Sequence, residues 1–133
     1  MSYVIDASAG VEFLLRTPVG HAVEAAIGDA LLHAPELFDA EVLAVLRRET
    51  LAGRLGATRA LLALDALRAW DLDRAPHRGL LADAWSLRHN VSADDALYLA
   101  LARRLGATVL TADGPLSRIP VPTGVVVQNL RAR

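Results

Sequence analysis

Short runs of aliphatic residues alternate along the chain with longer segments whose apolar positions recur at helical spacing. Strands are predicted, the third of them weakly, at residues 3–5, 31–33, 70–73, 108–111 and 125–127. Unbroken aliphatic strands that alternate with helices are typical of a parallel sheet covered on both faces. The pattern therefore predicts an α/β fold, a three-layer α/β/α sandwich, and the lack of repeats or linkers indicates one domain over residues 1–133.

The segments between the strands carry the helical pattern. Helices are predicted through residues 11–15, 21–27, 37–51, 61–67, 77–88 and 92–105. Pro18 and Gly20 are expected to break the first helix, and Gly53 and Gly106 to end the third and the last. Thr58 is a candidate N-cap for the fourth helix. The broad apolar stripe of that helix belongs either to the core or to a surface for a partner, and it comprises Leu61, Leu62, Leu64 and Leu67.

The composition narrows the class of protein. Hydrophobic residues make up 53% and mean hydropathy is +0.32, yet no apolar run approaches the ~20 residues of a membrane-spanning helix. The start MSYVID lacks the basic and apolar regions of a signal peptide, so we expect a cytoplasmic protein. The absence of cysteine excludes disulfides and thiolate metal sites. The net charge of −1 excludes a generally basic nucleic-acid binder, although a local basic patch remains compatible with it.

Four carboxylates stand where a predicted strand or loop passes into a helix or turn: Asp6, Glu41, Asp95 and Asp113. Such positions converge on the edge of a parallel sheet beyond the carboxyl ends of its strands, where ligands bind. Two like charges about 5 Å apart repel by roughly 3 kcal/mol at an effective dielectric of ~20. Acids gathered at one edge therefore need protons or a cation, and an all-oxygen donor set favours Mg²⁺ or Mn²⁺ over Zn²⁺.

Two of these acids, which follow strands, also have a purely structural explanation. Asp6 is a good N-cap for the helix that follows it, and as a metal ligand it would have the Ser8 hydroxyl nearby. Asp113 precedes Gly114 and Pro115, and aspartate is common in such turns because it hydrogen-bonds its own backbone. Each acid can thus be explained singly, whereas all four together are harder to explain without a shared cation.

The two acids on helices each have a neighbouring rival. Asp39 competes with Glu41, and Asp94 competes with Asp95, because residues one or two apart on a helix point to different faces. Ser92 and Asp95 also have the spacing of a capping box. The local pattern leaves both choices open.

Four segments together resemble the PIN-domain family, and more narrowly the VapC toxins of bacterial type II toxin–antitoxin pairs: VIDAS, PELFDAEVL, SADDALYLALARRLGA and TVLTAD. They occur in the right order over nearly the whole chain, and the helix followed by TVLTAD is the most specific part. The resemblance places the acids of the family on Asp6, Glu41, Asp95 and Asp113. We expect supporting roles for Ser8, Thr111 and Asp94, the last an additional carboxylate that either assists the metal or caps the helix.

The resemblance implies a five-stranded parallel sheet and an Mg²⁺- or Mn²⁺-dependent endoribonuclease that cuts structured RNA, such as tRNA or ribosomal RNA, and so inhibits translation. Asp6 and Asp95 would coordinate the principal metal, with Glu41 and Asp113 completing the site, and activated water would hydrolyse the phosphodiester. A VapB-like antitoxin would neutralise a homodimer in a heterotetramer or larger assembly. The histidines form no acid–base pair and are interpreted as structural or surface residues: His21, His33, His77 and His89.

An RNA substrate would need cationic contacts, and every one of the 14 basic side chains is arginine. Candidates for phosphate contacts are Arg47, Arg48, Arg103, Arg104 and Arg118, with Arg131 and Arg133 in a basic tail. The competing interpretation is a solvated helix face and a loose terminus. The absence of lysine argues against receiver-type signalling domains and haloacid dehalogenase-type phosphatases, which both need one. A non-catalytic PIN scaffold that binds RNA remains the main alternative.

Overall fold

A parallel sheet forms the centre of the computed structural model, which describes residues 1–113, 116 and 125–131. Its strands are β1 Ser2–Ile5, β2 Leu31–Pro35, β3 Asp73–Ala75, β4 Thr108–Thr111 and β5 Val127–Asn129. They lie in the order β3-β2-β1-β4-β5, and every pairing is parallel. The predicted α/β fold with a five-stranded parallel sheet is therefore confirmed.

Helices cover both faces of the sheet. They are α1 Ala7–Leu14, α2 Pro18–Ile27, α3 Leu37–Leu51, α4 Ala57–Ala69, α5 Leu81–Ser86 and α6 Ala93–Leu105, with a 3₁₀ turn at Arg78–Leu80. Consecutive residues of a strand point to opposite faces. Val4 and Ile5 in β1 are both fully buried, and so are Val109 and Leu110 in β4. The central strands are thus covered on both sides, as the aliphatic runs predicted.

Local signals fix the ends of α6 as predicted. The Ser92 hydroxyl accepts a hydrogen bond from Asp95 N at 3.2 Å, and the helix begins at the next residue, Ala93. Gly106 ends the helix in the left-handed conformation, with φ of 63°, which glycine adopts without strain. The first turn of α6, which carries Asp95, is therefore set by the sequence around it.

Other helix starts differ from the predictions. α2 begins at Pro18, earlier than expected, because the Thr17 side chain caps it and proline suits the first helical position. Thr58 does not cap α4, since Gly56 is the N-cap residue and makes no side-chain hydrogen bond. The segment 77–88, predicted as one helix, is divided into the 3₁₀ turn and α5.

The strands at the two edges of the sheet also lie away from their predicted positions. β3 begins at Asp73 and β5 at Val127, so both start later than the hydrophobic pattern suggested. Their positions follow from pairing with the neighbouring strand. Arg74 of β3 lies opposite Ala34 of β2, and Gln128 of β5 lies opposite Leu110 of β4. The hydrophobic runs alone carried no information about this register.

The apolar stripe of α4 is only partly in the core. Leu67 is buried, whereas Leu61 and Leu62 are 61% and 64% exposed. Trp70 packs face to face on Phe13, whereas Trp85 is 67% exposed. In the described part of the chain, no helix has the length and apolar character needed to cross a bilayer.

Two glycines allow α1 to lie unusually close to its neighbours. A Cβ atom at Gly20 in α2 would lie 2.0 Å from the Glu12 carbonyl oxygen of α1. A Cβ atom at Gly10 in α1 would lie 2.5 Å from Cζ of Phe38, a fully buried ring on α3. Close packing of α1 on α3 brings the N-terminal ends of these two helices near each other, and with them Asp6, the N-cap of α1, and Glu41, the fifth residue of α3.

Candidate metal centre

The candidate site lies where the strand order changes direction. From β1 the chain passes outward to β2 and β3, then crosses to β4 and β5 on the other side. At such a switch point an open α/β sheet leaves a crevice beyond the carboxyl ends of its strands. Asp6 directly follows β1, and Asp113 follows the end of β4 by two residues. The topology therefore brings together two predicted acids that are more than a hundred residues apart.

Asp6 is buried, only 6% exposed, and its carboxylate accepts three hydrogen bonds. Oδ1 accepts from Ser8 Oγ at 2.7 Å and from Ala9 N at 3.0 Å, so the residue does cap α1. Oδ2 accepts from Thr111 Oγ1 at 2.5 Å. The capping role and the position at the crevice are thus compatible, since one side chain serves both.

The two hydroxyl groups beside Asp6 are themselves oriented. Ser8 Oγ accepts a hydrogen bond from Ala112 N at 2.9 Å, and Thr111 Oγ1 accepts one from Asp113 N at 2.9 Å. Because each hydroxyl oxygen already accepts from a backbone amide, its own proton is directed at Asp6. Ser8 and Thr111 therefore hold the carboxylate in one orientation and also tie the end of β4 to α1.

The structure separates the two acids of α3. Asp39 accepts two hydrogen bonds from the Arg74 guanidinium, at 2.9 and 3.0 Å, so it forms a bidentate ion pair with β3. Glu41 instead accepts a hydrogen bond from the hydroxyl of Tyr98 on α6, at 2.6 Å. Of the two acids that the sequence left open, Asp39 stabilises the sheet edge and Glu41 faces the crevice.

The two acids of α6 are both close to the site. Asp95 is half-buried and Asp94 is exposed. Asp94 raises the pKa of Glu41 and of Asp95 through charge repulsion, which shows that it lies near both. Asp94 thus contributes negative charge at the edge of the crevice, whereas Asp95 is the more enclosed of the two.

Burial and mutual repulsion perturb three of the carboxyl groups. Burial is the main cause of the raised pKa of Asp6, partly offset by its hydrogen bonds to Thr111, Ala9 and Ser8, while Asp113 adds repulsion. Burial likewise raises the pKa of Glu41, with the Tyr98 hydrogen bond opposing it and nearby carboxylates adding to it. For Asp95, burial again raises the pKa, Ser92 lowers it, and Asp113 and Asp94 raise it further.

These interactions join the acids into one electrostatic network: Asp6, Glu41, Asp94, Asp95 and Asp113. Within residues 1–113, 116 and 125–131, no three acidic or histidine side chains already form a group able to hold a metal ion. Among these acids, Asp6 and Glu41 accept hydrogen bonds from side-chain hydroxyl groups, those of Ser8 and Thr111 for Asp6 and that of Tyr98 for Glu41. The all-oxygen donor set and the raised pKa values fit Mg²⁺ or Mn²⁺, whose charge would favour the ionised carboxylates.

The predicted phosphate-binding arginines lie in different places. Arg47 and Arg48 are exposed on the second half of α3, and Arg48 lies 3.6 Å from the Glu49 carboxylate. Arg103 and Arg104 are at the end of α6 remote from Asp95, where Arg104 donates a hydrogen bond to the Gly79 carbonyl. Arg118 and Arg133 lie outside the described residues.

Arg131 is closer to the crevice than the sequence indicated. Its Nε donates to the Ala112 carbonyl and its Nη2 donates to Glu12, both at 3.0 Å. The guanidinium therefore lies beside the backbone that leads into Asp113. The sequence suggested only a loose basic tail, because nothing local to Arg131 predicts contacts with segments 19 and 119 residues away.

Two of the four histidines, His77 and His33, make contacts that stabilise the fold. His77 Nε2 accepts a hydrogen bond from Leu37 N at 3.0 Å, and so caps α3, whose own N-cap residue Glu36 provides no side-chain bond. His33 Nδ1 lies 3.3 Å from Asp73, its partner across β2 and β3. His21 and His89 are exposed. None of these contacts involves the acids of the crevice.

Comparison with known proteins places this geometry in a family. The PIN domain profile matches residues 3–122. Ribonuclease VapC3 of Mycobacterium tuberculosis is 43% identical over 116 residues, which cover 86% of this chain and 85% of the relative. Ribonuclease VapC1 of the same organism is 40% identical over 119 residues, 88% of this chain and 90% of the relative. The chain therefore belongs to the PIN-domain family, and within it to the VapC ribonucleases.

Solved structures share the fold. VapBC2 from Rickettsia felis, bound to a DNA fragment from its promoter, superposes with a TM-score of 0.69 at 14% identity, covering 97% of this chain and 98% of that chain. VapC20 of Mycobacterium tuberculosis, described as a Sarcin-Ricin loop cleaving toxin, has a TM-score of 0.63 at 20% identity, covering 86% and 92%. The resemblance suggested by the sequence segments is confirmed, and with it the class of VapC-like ribonuclease toxins.

Proposed function

We propose that this chain is a metal-dependent endoribonuclease whose site is formed by Asp6, Glu41, Asp95 and Asp113. The observation that carries the proposal is the single electrostatic network of carboxylates at the β1–β4 switch point. Three of these acids are buried or half-buried and have raised pKa values, so a nearby positive charge would favour their ionised forms. Mg²⁺ or Mn²⁺ would supply that charge through oxygen ligands.

The protein residues have distinct parts in the proposed reaction. Asp6 and Asp95 would bind the principal ion, and Glu41 and Asp113 would complete or tune its environment. A bound divalent ion lowers the pKa of coordinated water and offsets charge on the phosphate oxygens. Ser8 and Thr111 keep Asp6 in one orientation, so that little rearrangement is needed when the substrate binds. No lysine or cysteine nucleophile is required.

The proposed substrate is structured RNA, with tRNA and ribosomal RNA as the first candidates, and we expect the activity in the cytoplasm. Support comes from the ribonuclease relatives and from the VapC20 neighbour, which is described as cleaving the Sarcin-Ricin loop. Among the arginines in the described part of the chain, Arg131 is a good candidate for a phosphate contact near the crevice, because its guanidinium lies beside Ala112 and its side chain is 56% exposed. Binding through arginine should weaken steeply as salt increases.

The deciding experiment compares RNA cleavage and Mn²⁺ binding in the wild type, Asp6→Asn and Asp29→Asn, a matched change at an exposed acid in the loop after α2. We expect D6N to lower cleavage at least ~100-fold and to weaken Mn²⁺ binding, as removal of a metal ligand does. D29N should behave as the wild type, and EDTA should abolish cleavage. Undiminished cleavage in EDTA would reject the metal mechanism. RNA binding without cleavage under any metal would instead support the non-catalytic scaffold.

We also propose that a VapB-like antitoxin helix covers an apolar groove between α3 and α4. One structural neighbour is a VapBC complex, and the groove exposes leucines that the core does not use. Thr50, which lines the groove, has a buried Oγ1 without a hydrogen-bond partner among the described residues. The groove is lined by Leu43, Leu46, Arg47, Thr50, Leu51, Ala57, Ala60, Leu61 and Leu64.

A pair of adjacent leucines tests this surface. Leu61 lines the groove, whereas Leu62 is similarly exposed but does not. We expect Leu61→Asp to weaken antitoxin binding at least tenfold without changing RNA cleavage, and Leu62→Asp to have little effect. The alternative occupant of the groove is a second copy of this chain, and light scattering of the toxin alone tests for it. If the wild type is a homodimer and L61D is not, the groove is the dimer interface. Equal antitoxin binding by both variants would exclude it as the antitoxin site.

A further inference from the structure

Tyr98 is a buried polar side chain that the proposed reaction does not yet use. It lies on α6, three residues after Asp95, and is 2% exposed. Its hydroxyl donates a hydrogen bond to Glu41 Oε1 at 2.6 Å, which joins α6 to α3 across the crevice. Residues three apart on a helix share a face, so Asp95 and Tyr98 both project toward Glu41.

The contact has a defined direction. The phenolic hydroxyl carries the proton of this hydrogen bond and the Glu41 carboxylate can only accept it, so Tyr98 is the donor. The tyrosine ring is fixed by packing and has only two rotatable side-chain bonds, whereas a glutamate on a half-buried helix face has several rotamers. One oxygen of Glu41 is thus held by a rigid group, and Oε2 is left for the acidic crevice.

We propose that Tyr98 is a positioning residue for Glu41: its hydroxyl holds Oε1 so that Oε2 is presented to the divalent ion. The inference rests on the proposed function, because it requires Glu41 to interact with the metal. Two residues of α6 would then serve the same site: Asp95 as a metal ligand, and Tyr98 by positioning Glu41. Outer partners of this kind typically change metal affinity or activity about 10- to 100-fold.

The test is removal of the hydroxyl alone. Tyr98→Phe keeps the ring, and Tyr3→Phe is the matched control on β1, outside the carboxylate network. Mn²⁺ affinity is measured by electron paramagnetic resonance, independently of cleavage. We expect Y98F to bind Mn²⁺ about tenfold more weakly and to cleave RNA correspondingly slowly, while Y3F matches the wild type. In an E41Q background, Y98F should cause no further loss, because its target is already changed.

The outcomes separate this inference from the proposed function. If D6N and E41Q lose Mn²⁺ affinity but Y98F does not, the role of Tyr98 is rejected and the metal site stands. If none of the three variants loses affinity, the metal site itself is rejected. An equal loss from Y98F in the wild-type and E41Q backgrounds would mean that Tyr98 acts only on the general fold, which also rejects the inference.

A second measurement avoids dependence on the folding of Y98F. The chain has two tyrosines, so 3-fluorotyrosine labelling gives two ¹⁹F resonances, which Y3F assigns. We expect the Tyr98 resonance to shift when Mg²⁺ is added to the wild type and to stay in place in E41Q. A Tyr98 resonance that does not respond to saturating Mg²⁺ in the wild type would overturn the inference.

Discussion

Replacing Asp6 by Asn changes a buried charge into a neutral group of the same shape. The amide oxygen can still accept from Ala9 N and Ser8 Oγ, so the cap of α1 is kept. The change removes the cost of burying a charge, which is the main cause of the raised pKa of Asp6, and also the smaller repulsion by Asp113.

Opposing contributions come from the hydrogen bonds of Asp6. Bonds to a charged group are each stronger than neutral ones by about 1 kcal/mol, and three of them are weakened by the substitution. The raised pKa of Asp6, caused chiefly by burial, shows that the unfavourable contributions are larger. We therefore expect metal-free D6N to be more stable than the metal-free wild type at pH 7.

Urea denaturation in EDTA and in Mn²⁺ measures this difference. For the wild type, Mn²⁺ at about a hundred times its Kd should add roughly 2.7 kcal/mol to the free energy of unfolding, because it binds only the folded chain. D6N should gain little. D6N would then be the more stable protein in EDTA and the wild type the more stable protein in Mn²⁺. Only the wild type would cleave RNA.

The pH dependence follows from the same shifts. Asp6, Glu41 and Asp95 have folded-state pKa values raised by burial above the ordinary values of 3.8 and 4.5. Their contribution to stability is complete below those ordinary values and is lost as the pH rises through the folded-state values. The stability advantage of metal-free D6N should therefore shrink as the pH is lowered towards 3.8, the ordinary pKa of aspartate. An advantage that is independent of pH, or Mn²⁺ stabilising D6N as much as the wild type, would refute the reasoning.

Two further predictions concern the packing that positions the site. Gly20→Ala should destabilise the chain by about 3 kcal/mol, because its Cβ would meet the Glu12 carbonyl oxygen. Gly56→Ala meets no atom within 4 Å, so it should cost no more than about 1 kcal/mol, the usual penalty for alanine at an N-cap. Urea denaturation checks both, and equal midpoints would contradict the close approach. His77→Ala should lower the free energy of unfolding by about 1 kcal/mol, because it removes the cap of α3. The control is His89→Ala, at an exposed position, and thermal unfolding measures both variants. If both unfold like the wild type, the cap contributes nothing.

Local chemistry alone determined much of the fold. Aliphatic runs predicted the parallel sheet, because a strand buried on both faces has no polar alternation. The ends of α6 followed from Ser92 and Gly106, since capping and a left-handed glycine are properties of a few adjacent residues. Asp6 and Asp113 were singled out because each follows a strand, whereas only the family resemblance selected Glu41 over Asp39 and Asp95 over Asp94. What the sequence determined by itself was therefore whatever depends on neighbours along the chain.

Tertiary structure decided the rest. Asp39 on α3 forms an ion pair with Arg74 on β3, which leaves Glu41 as the acid of α3 that faces the crevice. Helical spacing alone did not decide between these two acids. The edge strands β3 and β5 took positions set by the strands they pair with. The donors that orient the site, Thr111 for Asp6 and Tyr98 for Glu41, lie 105 and 57 residues from their acceptors. Such contacts exist only after the chain has packed, because nothing in the local sequence of either partner specifies them.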